Sequence, residues 1–191
     1  MAYRSVLGVG VIIIGLNGAV AEPSQQELEL EAQAVATEFQ ANLKAALISG
    51  MSTGGPLKAI PVCRTDAPEI SQQLSNGDWT VARTALKVRN PDNSPNPWQR
   101  EQLEAMVQGL AAGEKPADLT VSEIRSGDEG SHFYYMQPII TGKICLECHG
   151  SQLSPDVQDA LDKYYPEDQA VGFTEGELRG AFSFSKTLAS Q

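Results

Sequence analysis

Apolar residues recur at steps of three and four positions near the start of the chain and predict a long amphipathic helix. The stripe consists of Leu28, Ala32, Val35, Phe39, Leu43, Ala46 and Leu47. Ser24 and Glu27 have the spacing of a capping box at its start, and Gly50 is placed to end it. We expect this helix to pack on the core of the protein.

Alternation with a period of two predicts strands farther along the chain. They cover residues 79–89, 117–125, 132–140 and 176–186. In the first of them Arg83, Lys87 and Arg89 fall on one face and form a basic row. The second and third strands are separated by residues 126–131, whose composition predicts a hairpin turn.

Shorter helices complete the pattern. Residues 57–74 predict two short helical turns, with Cys63 between Pro61 and Pro68. N-cap residues followed by proline predict two further helices, at residues 97–112 and 155–165. Strands joined by hairpins, with helices on one side, indicate an α+β domain with an antiparallel sheet.

Residues 1–21 have the composition of a secretory signal peptide. Arg4 supplies the positive charge, residues 6–16 are apolar, and residues 19–21 offer small side chains for cleavage. The apolar run is shorter than the roughly 20 residues of a bilayer span, and an uncleaved anchor is the alternative interpretation. We therefore expect one domain, residues 22–191, that is periplasmic or otherwise exported and has no stable membrane span after cleavage.

The chain is acidic, with a net charge of -10. Loss of Arg4 with the leader would make the remaining domain more acidic still. Binding of nucleic acid requires basic patches, so we expect no nucleic acid partner. The charge favours solubility or the steering of a basic partner, and the long first helix offers a surface for a homodimer.

Residues 145–150 read Cys-Leu-Glu-Cys-His-Gly and contain the C-x-x-C-H signature of covalent c-type haem attachment. One turn of chain presents the thiols of Cys145 and Cys148 to the two vinyl groups at one edge of the macrocycle. His149 is then placed beneath the ring to bind the iron. The motif therefore predicts one covalent haem c, and an exported location agrees with this prediction.

Other uses of these cysteines compete with haem attachment. A redox disulfide would normally open a helix after a strand and would not need His149. A structural zinc site could combine Cys63 with the motif, but such sites usually show two closely spaced pairs of ligands. A plain structural disulfide is the third alternative.

The second axial position of a haem iron has several candidates in this chain. They are Cys63, His132, Met51, Met106 and Met136, and the position could also be open or hold water. The patterns around Met106 and Met136 are those of core residues. Cys63 differs because an odd cysteine in an oxidising compartment requires a reason to remain unpaired. The residues alone leave this choice open.

Several stretches of the chain together resemble a known family. They are residues 63–75, 83–99, 145–150, 164–173 and 176–185. They resemble the exported c-type haem proteins with a PAS-like fold and His/Cys axial ligation. That family was long catalogued as a domain of unknown function, and it also forms the sensor part of some membrane histidine kinases. The resemblance covers about residues 28–186, and residues 83–99 are much more specific to the family than the haem motif.

The resemblance implies a PAS-like antiparallel sheet flanked by helices. It also implies that Cys145 and Cys148 hold the haem, with His149 as the proximal ligand and Cys63 as the distal ligand. The family often has Ser at the position of Ala85, so a hydrogen bond from that hydroxyl would be absent here. The cellular role does not follow from the resemblance.

The expected function is low-potential electron transfer or redox sensing. Two protein ligands leave no open iron position, and a thiolate favours Fe(III). A sensor in which NO or CO displaces the distal ligand, acting with a partner, is the alternative. A peroxidase-type enzyme would need an open iron and an acid–base group, which only His132 could supply. From the basic row, Arg83 and Lys87 are expected to pair with haem propionates or with a partner, and a solvated outer face of the sheet is the alternative.

Overall fold

The computed structural model describes residues 23–127 and 130–188. The expected signal peptide, and two residues of the expected hairpin turn, lie outside the described residues. The helices are α1 (Gln25–Gly54), α2 (Pro56–Arg64), α3 (Asp66–Leu74), α4 (Pro97–Ala111), α5 (Leu146–His149) and α6 (Pro155–Tyr164). The strands are β1 (Trp79–Thr84), β2 (Val121–Gly127), β3 (Gly130–Ile140) and β4 (Leu178–Thr187).

The four strands form one sheet in the order β1-β4-β3-β2. All three pairings are antiparallel. The last strand of the chain therefore lies in the centre of the sheet and joins β1 to the β2–β3 hairpin. The expected α+β class is confirmed, with an antiparallel sheet flanked by helices and a long N-terminal helix.

Helices cover both faces of the sheet, whereas the sequence pattern indicated helices on one side. On one face α1 contributes Leu28, Ala32, Ala36 and Phe39, which pack against aromatic side chains of β3 and β4. On the other face Leu103 and Met106 of α4 pack against Met136 and Ala181. Both helices begin as expected, because Ser24 with Glu27 and Asn96 with Gln99 form capping boxes. In the described part of the chain, no helix combines the length and the apolarity that a membrane span needs.

The end of α1 differs from the expectation. The helix passes through Gly50 and ends at Gly54, and Gly55 with φ 67° makes the turn into α2. Gly50 is buried because α2 crosses there: a Cβ at this position would lie 2.9 Å from Cα of Ala59. The glycine therefore serves close packing between α1 and α2 rather than the termination of α1.

Substitution of Gly50 by alanine should lower the free energy of unfolding by about 1–2 kcal/mol. The added methyl group overpacks the α1–α2 crossing, which costs about 1–3 kcal/mol, and the better helix propensity of alanine offsets up to about 1 kcal/mol. Gly54→Ala is the matched control, since the three atoms nearest to its Cβ all belong to the flexible side chain of Lys58. Urea denaturation of both variants measures the difference. Equal stability of the two variants would contradict the role given to Gly50.

The first strand is shorter than expected. It ends at Thr84, where its pairing with β4 ends at Ala181, and the amide of Ala85 instead donates to the carbonyl of Asn93. Lys87 and Arg89 therefore do not continue the row that starts at Arg83. Lys87 is exposed, whereas Arg89 is buried.

Candidate cofactor site

A cavity of about 410 Å³ lies between the second half of α1, α2, the end of β1 and the segment that carries the C-x-x-C-H motif. Its size falls in the range of about 300–1,000 Å³ that is usual for small-molecule and cofactor sites. Much of its wall is apolar, formed by Leu43, Leu47, Ile60, Ile139, Ile144 and Phe182. The cavity also touches Cys63, Arg83, Cys145, Cys148 and His149, so five of the six expected site residues share one space.

The motif itself forms a short helical turn at the cavity wall. Cys145 precedes α5, and Cys148 and His149 are its last residues. Both cysteines are free thiols, and the amide of Gly142 donates to Sγ of Cys145 at 3.4 Å. Gly150 ends the turn where a Cβ would lie 2.6 Å from the carbonyl oxygen of Leu146. The spacing therefore presents both thiols to the same cavity, and the final glycine permits the tight exit.

His149 has a fixed tautomer in this arrangement. Its Nδ1 lies 2.7 Å from the carbonyl oxygen of Ala170, which can only accept, so Nδ1 carries the proton. The other nitrogen, Nε2, is then unprotonated and accepts from Nε of Arg179 at 3.5 Å. Burial, together with the charges of Arg179 and Arg89, holds the pKa of His149 well below its usual value. The imidazole is therefore neutral and offers Nε2 as a metal ligand.

Cys63 is the penultimate residue of α2 and lines the cavity. Its side chain is accessible because it faces this space, yet protein surrounds it closely. Burial raises the pKa of the Cys63 thiol, and the charges of Arg83, Arg89 and Arg179 act in the opposite direction. Pro61 lies inside the same short helix, and its ring restricts the backbone two residues before the thiol.

The structure separates the other residues considered for the second axial position. Met51 lines the same cavity as Cys63. Met106 and Met136 are buried between the sheet and α4, away from it. His132 lies at the start of β3, where its ring is beside Tyr134 and its Nδ1 is 3.5 Å from Oγ1 of Thr187. Of the residues considered, only Cys63 and Met51 are therefore placed where they could be the second axial ligand.

Two arginines face the cavity without a carboxylate partner among the described residues. They are Arg83, whose guanidinium lies over the ring of Phe39 at 5.8 Å, and Arg179. Burial lowers the pKa of Arg179 to about 10, and the neighbouring Arg89 and Arg83 act in the same direction. Both guanidinium groups remain charged at neutral pH. Lys87 instead lies outside the cavity lining, with its Nζ 3.4 Å from the carbonyl oxygen of Val171.

Arg179 was not among the residues expected in the site, and a β-bulge explains why. On β3, Ile139 and Ile140 are adjacent, but their partners on β4 are Gly180 and Leu178. Arg179 is therefore the extra residue, and the bulge changes the face to which its side chain is directed. A glycine directly after an arginine inside a strand pattern was the available signal, since it often marks a bulge. A Cβ on Gly180 would lie 2.5 Å from the carbonyl oxygen of Thr84.

The zinc alternative lacks the ligand cluster that it requires. In residues 23–127 and 130–188, no three side chains of His, Cys, Asp or Glu are grouped so that they could hold a metal ion together. Cys63 and the motif cysteines line one cavity but do not converge on one point. The arrangement instead suits a group large enough to contact all of them across the cavity.

Comparison with known proteins agrees with this fold. A search of curated proteins finds no match. Among solved structures, the crystal structure of the cyanobacterial haem protein Tll0287 is similar, with a TM-score of 0.61 and 21% sequence identity over 88% of this chain and 99% of that chain. At this identity the likeness establishes the fold alone. The family model described as Tll0287-like matches residues 19–186. The chain therefore belongs to the Tll0287-like family.

Proposed function

We propose that this chain is an exported c-type haem protein that carries one covalent haem for low-potential electron transfer or redox sensing. Cys145 and Cys148 would form the two thioether bonds, and His149 and Cys63 would be the axial ligands. The observation that carries the proposal is the common cavity, which brings together all four residues from segments far apart in sequence. The structurally similar protein is itself a haem protein, which supports the same cofactor here.

The ligand chemistry of the cavity fits an iron porphyrin. His149 is neutral and its Nε2 is unprotonated, as iron coordination requires, and the acceptor at Nδ1 is the usual way in which a ligating histidine is oriented. Cys63 is a thiol whose pKa is raised by burial. A ferric iron would supply the positive charge that favours its thiolate form.

The charges of the cavity fit as well. Buried cations without partners are costly, and this chain places the guanidinium groups of Arg83 and Arg179 at the cavity wall although its net charge is -10. A haem has two carboxylate side chains, and these would supply the missing counter-charge. We therefore assign Arg83 and Arg179 to the propionates. Arg179 would give up its hydrogen bond to Nε2 of His149 when the iron binds that nitrogen. Lys87 lies outside the cavity lining, so Arg179 replaces it in this assignment.

The functional part of the proposal depends on the axial ligands. Two protein ligands suit one-electron exchange, and an anionic sulfur donor favours Fe(III) and a low potential. The acidic surface would favour a basic redox or signalling partner. A second copy of the chain could bind along α1.

Spectroscopy and extraction of the purified exported protein test this proposal. We expect a bound haem that acidified organic solvent does not remove, and a ferric spectrum of the low-spin thiolate type. Addition of CO or NO to the reduced protein distinguishes the alternative, because rapid formation of a stoichiometric adduct would indicate a gas sensor. Haem that is fully extractable would contradict covalent attachment by Cys145 and Cys148.

The predicted signal peptide gives a further expectation. Intact-mass measurement of the exported protein should place its first residue at or near Glu22, because the small residues of the cleavage site precede it. A protein that retains Met1 and stays in the membrane fraction would contradict cleavage and support the anchor.

A further inference from the structure

A buried ion pair lies next to the C-x-x-C-H motif. Arg89 and Asp168 are 7% and 9% exposed, and Nη2 of the arginine lies 2.9 Å from Oδ2 of the aspartate. They come from different parts of the chain, the loop after β1 and the loop between α6 and β4. A buried ion pair is weak evidence for net stability, because desolvation of the two charges offsets their attraction. The contacts of the pair indicate a positional role instead.

The remaining polar contacts of the pair are made to the two segments that flank His149. Nη2 of Arg89 donates to the carbonyl oxygen of Cys148 at 2.6 Å and to that of Ala170 at 3.2 Å. Oδ1 of Asp168 accepts from the amide of Ala170 at 2.8 Å. The pair thus connects the last turn of the motif with the segment that runs beside it.

The carbonyl oxygen of Ala170 links the ion pair to His149. It accepts from Nδ1 of His149 at 2.7 Å and also from Arg89. Farther along, the amides of Gly172 and Phe173 donate to the carbonyls of Gly150 and His149. Arg89 and Asp168 therefore fix the acceptor that sets both the tautomer and the ring plane of His149.

We propose that the Arg89–Asp168 pair positions His149 as an iron ligand by holding the carbonyl of Ala170 against its Nδ1. The inference rests on the haem ligation proposed above. Arg89 and Asp168 do not ligate the iron themselves. They act through Ala170, in the way that outer partners orient metal-binding histidines in general.

The haem-loaded Arg89→Lys variant tests this role, because it keeps the charge but not the planar fork of donors. One ammonium group cannot contact Asp168 and the carbonyls of Cys148 and Ala170 at the same time as the guanidinium does. The ring of His149 should therefore adopt more than one orientation. Electron paramagnetic resonance of the ferric protein should then show a second species where the native protein shows one. Exchange of the Nδ1 proton of His149 with solvent, followed by NMR, should be at least tenfold faster.

Controls separate positioning from stability. Glu31→Gln is matched to Asp168→Asn, since Glu31 accepts from Lys186 and Trp79 far from the cavity. We expect the resonance and exchange changes in Asp168→Asn and not in Glu31→Gln. A lowered melting temperature in Arg89→Lys with the native resonance and exchange rate would overturn the proposal.

Two further measurements keep the test decisive. If Arg89→Lys does not fold, exchange of the Nδ1 proton of His149 can still be measured in the native protein. Rapid exchange there would overturn the positioning role. His149→Ala tests the ligation by itself. A native ferric spectrum in His149→Ala would overturn the proposed ligand, whereas loss of that spectrum together with an unchanged Arg89→Lys variant would overturn the positioning role alone.

Discussion

Replacement of both Cys145 and Cys148 by alanine should leave the exported protein with less than a tenth of its covalent haem and with a markedly lower melting temperature. The two thiols are the proposed attachment points, and the cavity of about 410 Å³ would lose the group that fills it. By comparison, a reversible ligand present at about a thousand times its Kd stabilises a protein by about 4 kcal/mol, and a covalently held haem acts in the same direction. For a domain of this size such a loss corresponds to a decrease of roughly 8–16 °C.

Haem staining after denaturing electrophoresis and thermal unfolding measure the two effects. Cys63→Ala is the internal control, because it removes a cysteine from the same cavity but leaves the attachment points. It should retain the covalent haem. Covalent haem at the native level in the double variant would contradict the role of the motif.

The Cys63→Ala variant should lose the thiolate-type ferric spectrum and shift its reduction potential upward by about 100 mV or more. Loss of an anionic donor removes stabilisation of Fe(III), and 59 mV corresponds to a tenfold change in a one-electron equilibrium. Absorption spectroscopy and potentiometric titration of the purified protein measure both effects.

Met51→Leu is the matched control for this variant, since Met51 lines the same cavity. Leucine keeps the volume but not the sulfur, so spectrum and potential should remain close to native. If Cys63→Ala were native in both properties while Met51→Leu changed, the distal ligand would be Met51. The two variants thus decide between the two sulfur donors that the structure leaves.

Local sequence signals predicted the starts of α1 and α4. The capping boxes at Ser24 and Asn96 depend only on residues three positions apart, and both are present in the structure. The end of α1 could not be predicted in this way. Gly50 has the residue type of a C-cap, but its environment is set by Ala59 of the next helix.

The site shows the same division between local and long-range information. The motif of Cys145, Cys148 and His149 is local, so its spacing could be interpreted directly. Arg179 reaches the cavity because of a bulge in its pairing with β3, and a shift of one residue moves a side chain to the other face of a sheet. Lys87 was expected beside Arg83 because alternation was extended past Thr84, where the pairing of β1 ends.

The placement of Cys63 and Cys145 in the wall of one cavity has a consequence for the unfolded chain. If the haem is bonded to one and coordinated by the other, it cross-links the chain and closes a loop of about 80 residues. Loop-closure entropy for such a link is worth about 4.5 kcal/mol at 25 °C, by analogy with a disulfide. The link would be permanent at Cys145 but only as strong as the iron–sulfur bond at Cys63. The resistance of the protein to denaturant would then depend on the oxidation state of its iron.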